Sequence, residues 1–310
     1  MKKIIISGGT GLIGKRLITE LSEKEYDIIV ITRKINKSIN FISKENVSFF
    51  EWDYNKSSEV ITNLLNDSYS IINLAGASIA GKRWSGEYKK VLYESRIITT
   101  RKIVEAISKC SKKPESFISS SAIGYYGTTG NEILTEESQS SDDFLANLCF
   151  EWEYEACKAN EFGVRTVCIR TGLVIDGNDG AMKKIVLPFK LFIGGHLGTG
   201  KQWFSWIHIN DLVNLYLFSI NNINIKGALN GTSPKPVTNK EFCKTLGKVL
   251  KRPSFIPVPG FALKLIIGEF AQYLVTGRKV IPKSAIENGY AFEFPDLVSA
   301  LNNLFKKNDR

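Results

Sequence analysis

Apolar and polar positions along this chain follow two rhythms that take turns. Residues 3–6 (KIII) form a short apolar run and SGGTGLIG follows; Leu12, Ile13, Leu17, Ile18 and Leu21 then recur at a spacing that puts them on one helix face. Short, mostly apolar runs return at 28–31, 47–50, 70–74, 116–119 and 165–170, as strands covered on both faces do. Helical patterning is predicted over 88–109 and from about 144 to 161. Repeated strand–helix units predict an α/β fold built on a doubly wound parallel sheet.

After Gly172 the rhythm changes. Glycine-rich GGHLGTGKQW precedes WIHINDLVNLYLF, which reads as a late strand and helix returning to the sheet. From about Ile223 prolines become frequent, at 234, 236, 253, 257, 259, 282 and 295. The expected division is therefore a sheet domain over 1–222, with an insertion near 175–205, and a smaller C-terminal α+β lobe over 223–310.

Composition narrows the partners. With 310 residues, 43% of them hydrophobic, the chain can fill a sizeable core. Its net charge of +10 attracts anions, but Lys and Arg are scattered and their clusters (109–113, 244–252, 306–310) are short. No nucleic-acid recognition signature accompanies them, so the surplus reads as a solvated basic surface plus a phosphate-bearing ligand. Five cysteines, widely spaced and without a CxxC pair, fit a reducing cytoplasm and no metal site. The opening MKKIIISGG has too short an apolar run for a signal peptide, and Lys264, Glu269 and Gln272 interrupt the run 261–275, so no membrane segment is expected.

The glycine segment carries the first chemistry. Gly8, Gly11 and Gly14 give GxxGxxG, and Gly9, Gly11 and Gly14 also satisfy GxGxxG. Lying between a predicted strand and a predicted helix, the segment points backbone N–H groups and a helix N-terminus at a pyrophosphate. About twenty residues on, where an acid holds the ribose of NAD, the chain has Thr32, Arg33 and Lys34. A guanidinium there binds a 2′-phosphate that a carboxylate would repel, so NADP(H) is the expected cofactor. Trp52 and Asp53 border the adenine on this reading, unless Trp52 belongs to the core.

These segments resemble the extended short-chain dehydrogenase/reductase superfamily: SGGTGLIG matches its glycine signature, INLAG at 72–76 the segment after the fourth strand, and SSSAIGYYG at 119–127 the serine-bearing strand end. NLAGASIAGKRW, ESRIITTRKIV, GKQWFSWIHINDLV, NGTSPKPVTNKEF and RKVIPKSAIENGYAFEFPDLVSAL resemble one subgroup, the NADP-binding epimerase-like family 39U, whose members end in a small domain of unknown function. The resemblance covers essentially the whole chain. It implies cofactor contacts from Gly8, Thr10, Gly11, Leu12, Ile13, Thr32, Arg33, Leu74, Ala75 and Arg96, to which the glycine pattern adds Gly9 and Gly14 and the predicted strand ends add Lys34 and Gly76.

The superfamily's chemistry uses a serine that holds the substrate oxygen, a tyrosine acid/base and a lysine four residues later. Ser121 fits the serine. Counting back from Arg170, the tyrosine and lysine positions fall on Leu145 and Cys149, neither of which can play its part. The literal YxxxK, Tyr154 to Lys158, lies too close to Gly163 and Arg170 and reads mainly as helix surface. Tyr125 and Tyr126 follow Ser121 and either pack in the core or present a phenol to the nicotinamide; Ser121 and Tyr126 are the catalytic candidates. His208 reads as a core histidine, while His196 lies in a glycine-rich loop where it could face a substrate, and Trp203 and Trp206 line a pocket or anchor the lobe. The resemblance implies an NADP(H)-dependent oxidoreductase or epimerase acting on a small carbonyl or sugar-type substrate. The alternative is a catalytically weak NADP-binding regulator, a label of cell or plastid division that members of the subgroup carry. The partners expected are a small-molecule substrate and a second copy in a homodimer, with no specific nucleic acid and no membrane.

Overall fold

The computed structural model describes residues 1–35, 44–177 and 179–306, so the end of the basic cluster at 306–310 lies outside the described residues. Seven parallel strands form one sheet: Lys3–Ser7, Asp27–Thr32, Val47–Glu51, Ser70–Asn73, Ser116–Ala122, Arg165–Thr171 and Gly227–Gly231. Their spatial order is third, second, first, fourth, fifth, sixth, seventh. The order reverses beside the first strand, which opens a crevice at the strands' C-terminal ends, where doubly wound sheets bind ligands. The doubly wound α/β fold expected from the strand–helix rhythm is the fold observed.

Strand alternation decides what each face buries. Ile4 and Ile6 join Leu17, Ile18 and Leu21 of the helix Leu12–Glu23 and Leu212, Val213 and Tyr216 of the helix Ile209–Asn221. Ile5 and Phe117 point the other way, onto Ile61, Leu65, Ile103 and Ile107. The helices Glu59–Leu65 and Ile97–Lys109 supply those four side chains. A third cluster holds the C-terminal lobe together: Met182, Phe189, Trp206, Phe242, Leu246 and Leu301 meet there.

Three boundaries differ from expectation. The strand Gly227–Gly231, which a division at 222 assigns to the lobe, adds to the edge of the large sheet against Arg165–Thr171. Its polar GALNG sequence hides it from a search for apolar runs. The helix expected over 88–109 is two, Gly86–Glu94 and Ile97–Lys109, because Ser95 takes the amide of Ala77 on its hydroxyl (3.0 Å) and the chain turns at Arg96. The helix from Phe144 ends at Cys157, and a 3-10 turn, Lys158–Phe162, carries the chain to Gly163, which adopts φ +77°. The lobe is stitched to the sheet domain where Lys279–Val280 pairs in parallel with Ile133–Leu134. Among the described residues no helix is long and apolar enough to cross a membrane.

Candidate functional site

The glycine loop is built around close approach. Gly8 (φ +77°) passes so near the fourth strand that a Cβ would lie 2.6 Å from the Leu74 carbonyl carbon, and a Cβ on Gly14 would lie 2.5 Å from Gly9 Cα. A Cβ on Gly11 would meet only Gly8 O, at 3.5 Å, so its outer side borders open space. Gly11 also caps the helix Leu12–Glu23 without a side-chain acceptor, and no acid occupies the first turn. The first helical amides therefore face that space with the positive end of the helix dipole behind them, which fits a pyrophosphate. Thr10 and Gly11 are exposed and Leu12 and Ile13 half-buried at its border.

At the end of the second strand Thr32 Oγ1 donates to the Lys34 carbonyl (3.3 Å), and Arg33 and Lys34 are exposed. The neighbouring acid, Glu51, accepts the Ile35 amide (3.2 Å) and pairs with Lys56 (3.9 Å). Among the described residues no carboxylate pairs with Arg33. Trp52 is core: it is buried and its indole donates to the Ser57 carbonyl (3.1 Å). After the fourth strand, Leu74 N–H bonds Ser7 O (2.8 Å) and Ala75 N–H bonds Asn73 Oδ1 (3.2 Å). Arg96 lies against Gly76 and donates to the carbonyls of Leu92 (3.1 Å) and Ala77 (2.9 Å). Burial pushes its pKa down, so it is no ordinary surface arginine.

A polar row crosses the C-terminal edge of the sheet. Ser121, Arg170 and Asn230 are register partners on the fifth, sixth and seventh strands and so share a face. Glu153, from the helix Phe144–Cys157, accepts Ser121 Oγ–H at 2.5 Å and both prongs of Arg170, Nε and Nη2, at 2.8 Å. Arg170 Nη1 donates to Tyr126 Oη (2.9 Å), and Tyr126 O–H donates to Asn230 Oδ1 (2.7 Å). Tyr126 is 1% exposed, and burial pushes its phenol up to about 12. Tyr125 carries the Arg170 guanidinium 3.5 Å from its ring centroid. Charge-assisted bonds of this kind are short and directional, and they fix the strand end on which Ser121 sits.

Leu145 and Cys149 face this strand end: a Cβ on Gly124 would meet Leu145 Cβ at 3.4 Å and Cys149 Sγ at 3.5 Å. Burial, with the carboxylate of Glu153 nearby, pushes the Cys149 thiol up to about 11, against the pull of Arg96, the Ala122 backbone and Arg278. Tyr154 points away and is 59% exposed, with Lys158 4.7 Å over its ring and paired to Glu155 (3.0 Å). His208 is buried, accepts the Asn210 amide on Nδ1 (3.1 Å) as a helix cap, and packs against Phe294 with the rings tilted and their centroids 4.0 Å apart. His196 is held in its loop, 3.2 Å from the Gly198 carbonyl. Trp203 bonds Asn131 Oδ1 (2.8 Å), and Trp206 is fully buried in the lobe.

Glu153, Asn230 and Arg278 escaped the sequence reading. Arg170, a charge inside the apolar run TVCIRT, was the available signal, since a buried cation needs a partner in space.

A glycine loop feeding a helix N-terminus beneath a doubly wound parallel sheet, with a lobe over the crevice, defines a dinucleotide-binding protein of the epimerase and dehydratase class. The chain belongs to the NAD dependent epimerase/dehydratase family, whose model matches residues 4–230, and a domain of unknown function (DUF1731) matches 258–304. It is 40% identical over 311 residues to the chloroplastic epimerase family protein SDR39U1 homolog of Arabidopsis thaliana, covering 98% of this chain and 86% of that protein. The epimerase family protein YfhF of Bacillus subtilis is 36% identical over 302 residues, with 97% of each chain covered. The crystal structure of human epimerase family protein SDR39U1 with NADPH superposes with a TM-score of 0.87 at 30% identity, covering 98% of this chain and 99% of that one.

Proposed function

We propose that this protein is an NADP(H)-dependent oxidoreductase or epimerase-like enzyme acting on a small carbonyl or sugar-type substrate. The observation that carries the reading is the pairing of the open Gly11 amide cradle with a cationic second-strand end, Arg33 and Lys34, where among the described residues no carboxylate pairs with Arg33. The human relative solved with NADPH supports the choice of NADP(H). Gly8, Gly9, Thr10, Gly11, Leu12, Ile13 and Gly14 would hold the pyrophosphate, Thr32, Arg33 and Lys34 the 2′-phosphate, and Leu74, Ala75, Gly76 and Arg96 the ribose and nicotinamide side. Bound there, the dinucleotide supplies a hydride at the C-terminal edge of the sheet.

The chain's own groups then position the substrate more than they move protons. Ser121 donates to Glu153, and its oxygen still accepts a hydrogen bond from a substrate hydroxyl. The Cys149 thiol, held near 11, and the Tyr126 phenol, held near 12 and bonded on both sides, stay protonated near neutral pH and so are no general bases. Turnover is therefore slow, with the proton coming from solvent or the substrate itself. That same gap favours a second reading, an NADP-binding regulator without turnover.

Fluorescence titration with NADPH and NADH tests the cofactor, and single-turnover oxidation of bound NADPH by a panel of carbonyl compounds tests the reaction. Tighter NADPH binding with slow, carbonyl-dependent oxidation is expected. Equal affinities would overturn the cofactor choice; tight NADPH binding with no oxidation by any of them would leave the regulator.

A further inference from the structure

The helix Phe144–Cys157 lies against the strand Arg165–Thr171, and the chain reverses between them at Gly163, so the two run in opposite senses. The Glu153–Arg170 ion pair fixes their alignment. One helical turn beyond Glu153 stands Cys157, and two strand residues before Arg170, on the same face of the sheet, stands Cys168. The two steps are nearly equal, about 6 Å along a helix and about 6.6 Å along a strand, so the alignment that joins the charges also brings the sulfurs together. They do meet: Cys157 and Cys168 share a hydrogen bond.

The partners are unequal. Cys168 is 1% exposed, in the cluster that holds Phe117, Ile107 and Ala156, whereas Cys157 sits half-buried where the helix ends and is the one cysteine of the five that is not buried. The hydrogen bond with Cys168 holds the Cys157 thiol below its ordinary range, and the same bond, helped by burial, pushes Cys168 up. An accessible sulfur with thiolate character, backed by a second thiol, is the arrangement in which peroxide attack is followed by resolution. Hydrogen-bonded sulfurs have to close by about 1–2 Å to reach the S–S length of ~2.05 Å.

We propose that Cys157 and Cys168 form a redox modification site, a reversible two-electron thiol pair oxidised by hydroperoxides. The Cys157 thiolate attacks the peroxide; an S–O bond forms, the O–O bond breaks, and the leaving oxygen takes up a proton as water or an alcohol, so Cys157 becomes a sulfenic acid. The Cys168 sulfur then attacks the Cys157 sulfur. An S–S bond forms, the S–O bond breaks, and the Cys168 proton leaves with the hydroxide as water. An external dithiol returns the two electrons by exchange. The link fastens the helix that carries Glu153 to the strand that carries Arg170, and Glu153 in turn holds Ser121. The site needs no dinucleotide and stands whether or not the proposed reaction occurs.

The test exposes the folded, reduced protein to hydrogen peroxide, then counts thiols in denaturant and maps disulfides by mass spectrometry. Cleavage after Glu153, Glu155, Glu161 and Arg165 separates Cys149, Cys157 and Cys168 into different peptides. Loss of two of the five thiols is expected, with the Cys157 and Cys168 peptides joined and both thiols restored by dithiothreitol. Cys168→Ser should stop at a Cys157 sulfenic acid that dimedone traps, and Cys157→Ser should keep its remaining thiols at the same dose. The map of the wild-type protein decides the matter even where a variant does not fold. Thiols that resist peroxide in the folded protein, a link to any other cysteine, or further oxidation of Cys157 without a link would overturn the proposal.

Discussion

Glu153 and Arg170 form a two-pronged ion pair, 2.8 Å at each prong, with side chains 11% and 5% exposed. Removing either partner strands the other charge in a place that water barely reaches. Glu153→Ala or Arg170→Ala should each destabilise the fold by about 3–5 kcal/mol, while the double variant costs less than their sum. Urea unfolding of the four proteins checks this, and additive effects would show that the pair is not coupled.

Arg33 is the residue on which dinucleotide choice turns. Arg33→Asp replaces the group expected on the 2′-phosphate with one that repels it, and should narrow or reverse the preference for NADPH over NADH by about 2 kcal/mol. Titrating both dinucleotides against both proteins measures the gap.

The helix Phe144–Cys157 offers two candidate catalytic faces, and the structure turns only one toward Ser121. Tyr154→Phe and Lys158→Ala change an exposed ring and a lysine whose partner Glu155 keeps Arg101 (2.8 Å), both away from Ser121, so NADPH oxidation should be unaffected. Ser121→Ala removes a hydroxyl at the strand end and should slow it on the order of tenfold. Tyr126→Phe leaves Asn230 and Arg170 each short of a buried bond and should cost about 1–3 kcal/mol of stability. A large loss of activity in the Tyr154 or Lys158 variant, with folding intact, would move the active site to that face.

His208 gives the fold an acid-sensitive point. Burial lowers its pKa from 6.5 to about 4, so below 6.5 the unfolded chain takes up a proton that the folded chain refuses. Its contribution is fully present above 6.5 and is lost as pH falls toward 4, on the order of 3 kcal/mol in all. His208→Asn, which keeps a cap acceptor for the helix Ile209–Asn221, should flatten the stability profile across that window. Equal slopes in the two proteins would exclude His208 as the source.

What the sequence made legible was local. Six of the seven sheet strands show as apolar runs, and the glycine loop is readable because strand, turn and helix signals are contiguous in Ile4–Leu21. The seventh strand was missed because its register with Arg165–Thr171 depends on tertiary pairing and not on its own GALNG pattern. The polar row was missed for a related reason. Ser121, Glu153, Arg170 and Asn230 are far apart in sequence, and only the sheet register and one helix face bring them together. The count back to Leu145 and Cys149 identified the face of the helix turned to Gly124, because that spacing is set by the helix and strand lying between them.

The stitch between Ile133–Leu134 and Lys279–Val280 has a bearing on how the protein comes into being. Strand pairing across nearly half the chain must wait for its second partner to be synthesised, whereas the glycine loop and its helix are complete within the first turns of the sequence. A nascent chain that has yet to release residue 280 can form the glycine turn and its helix but not the strand pair that ties the lobe to the sheet domain. The order of translation itself thus keeps the two halves of the crevice apart until the last strand is in hand.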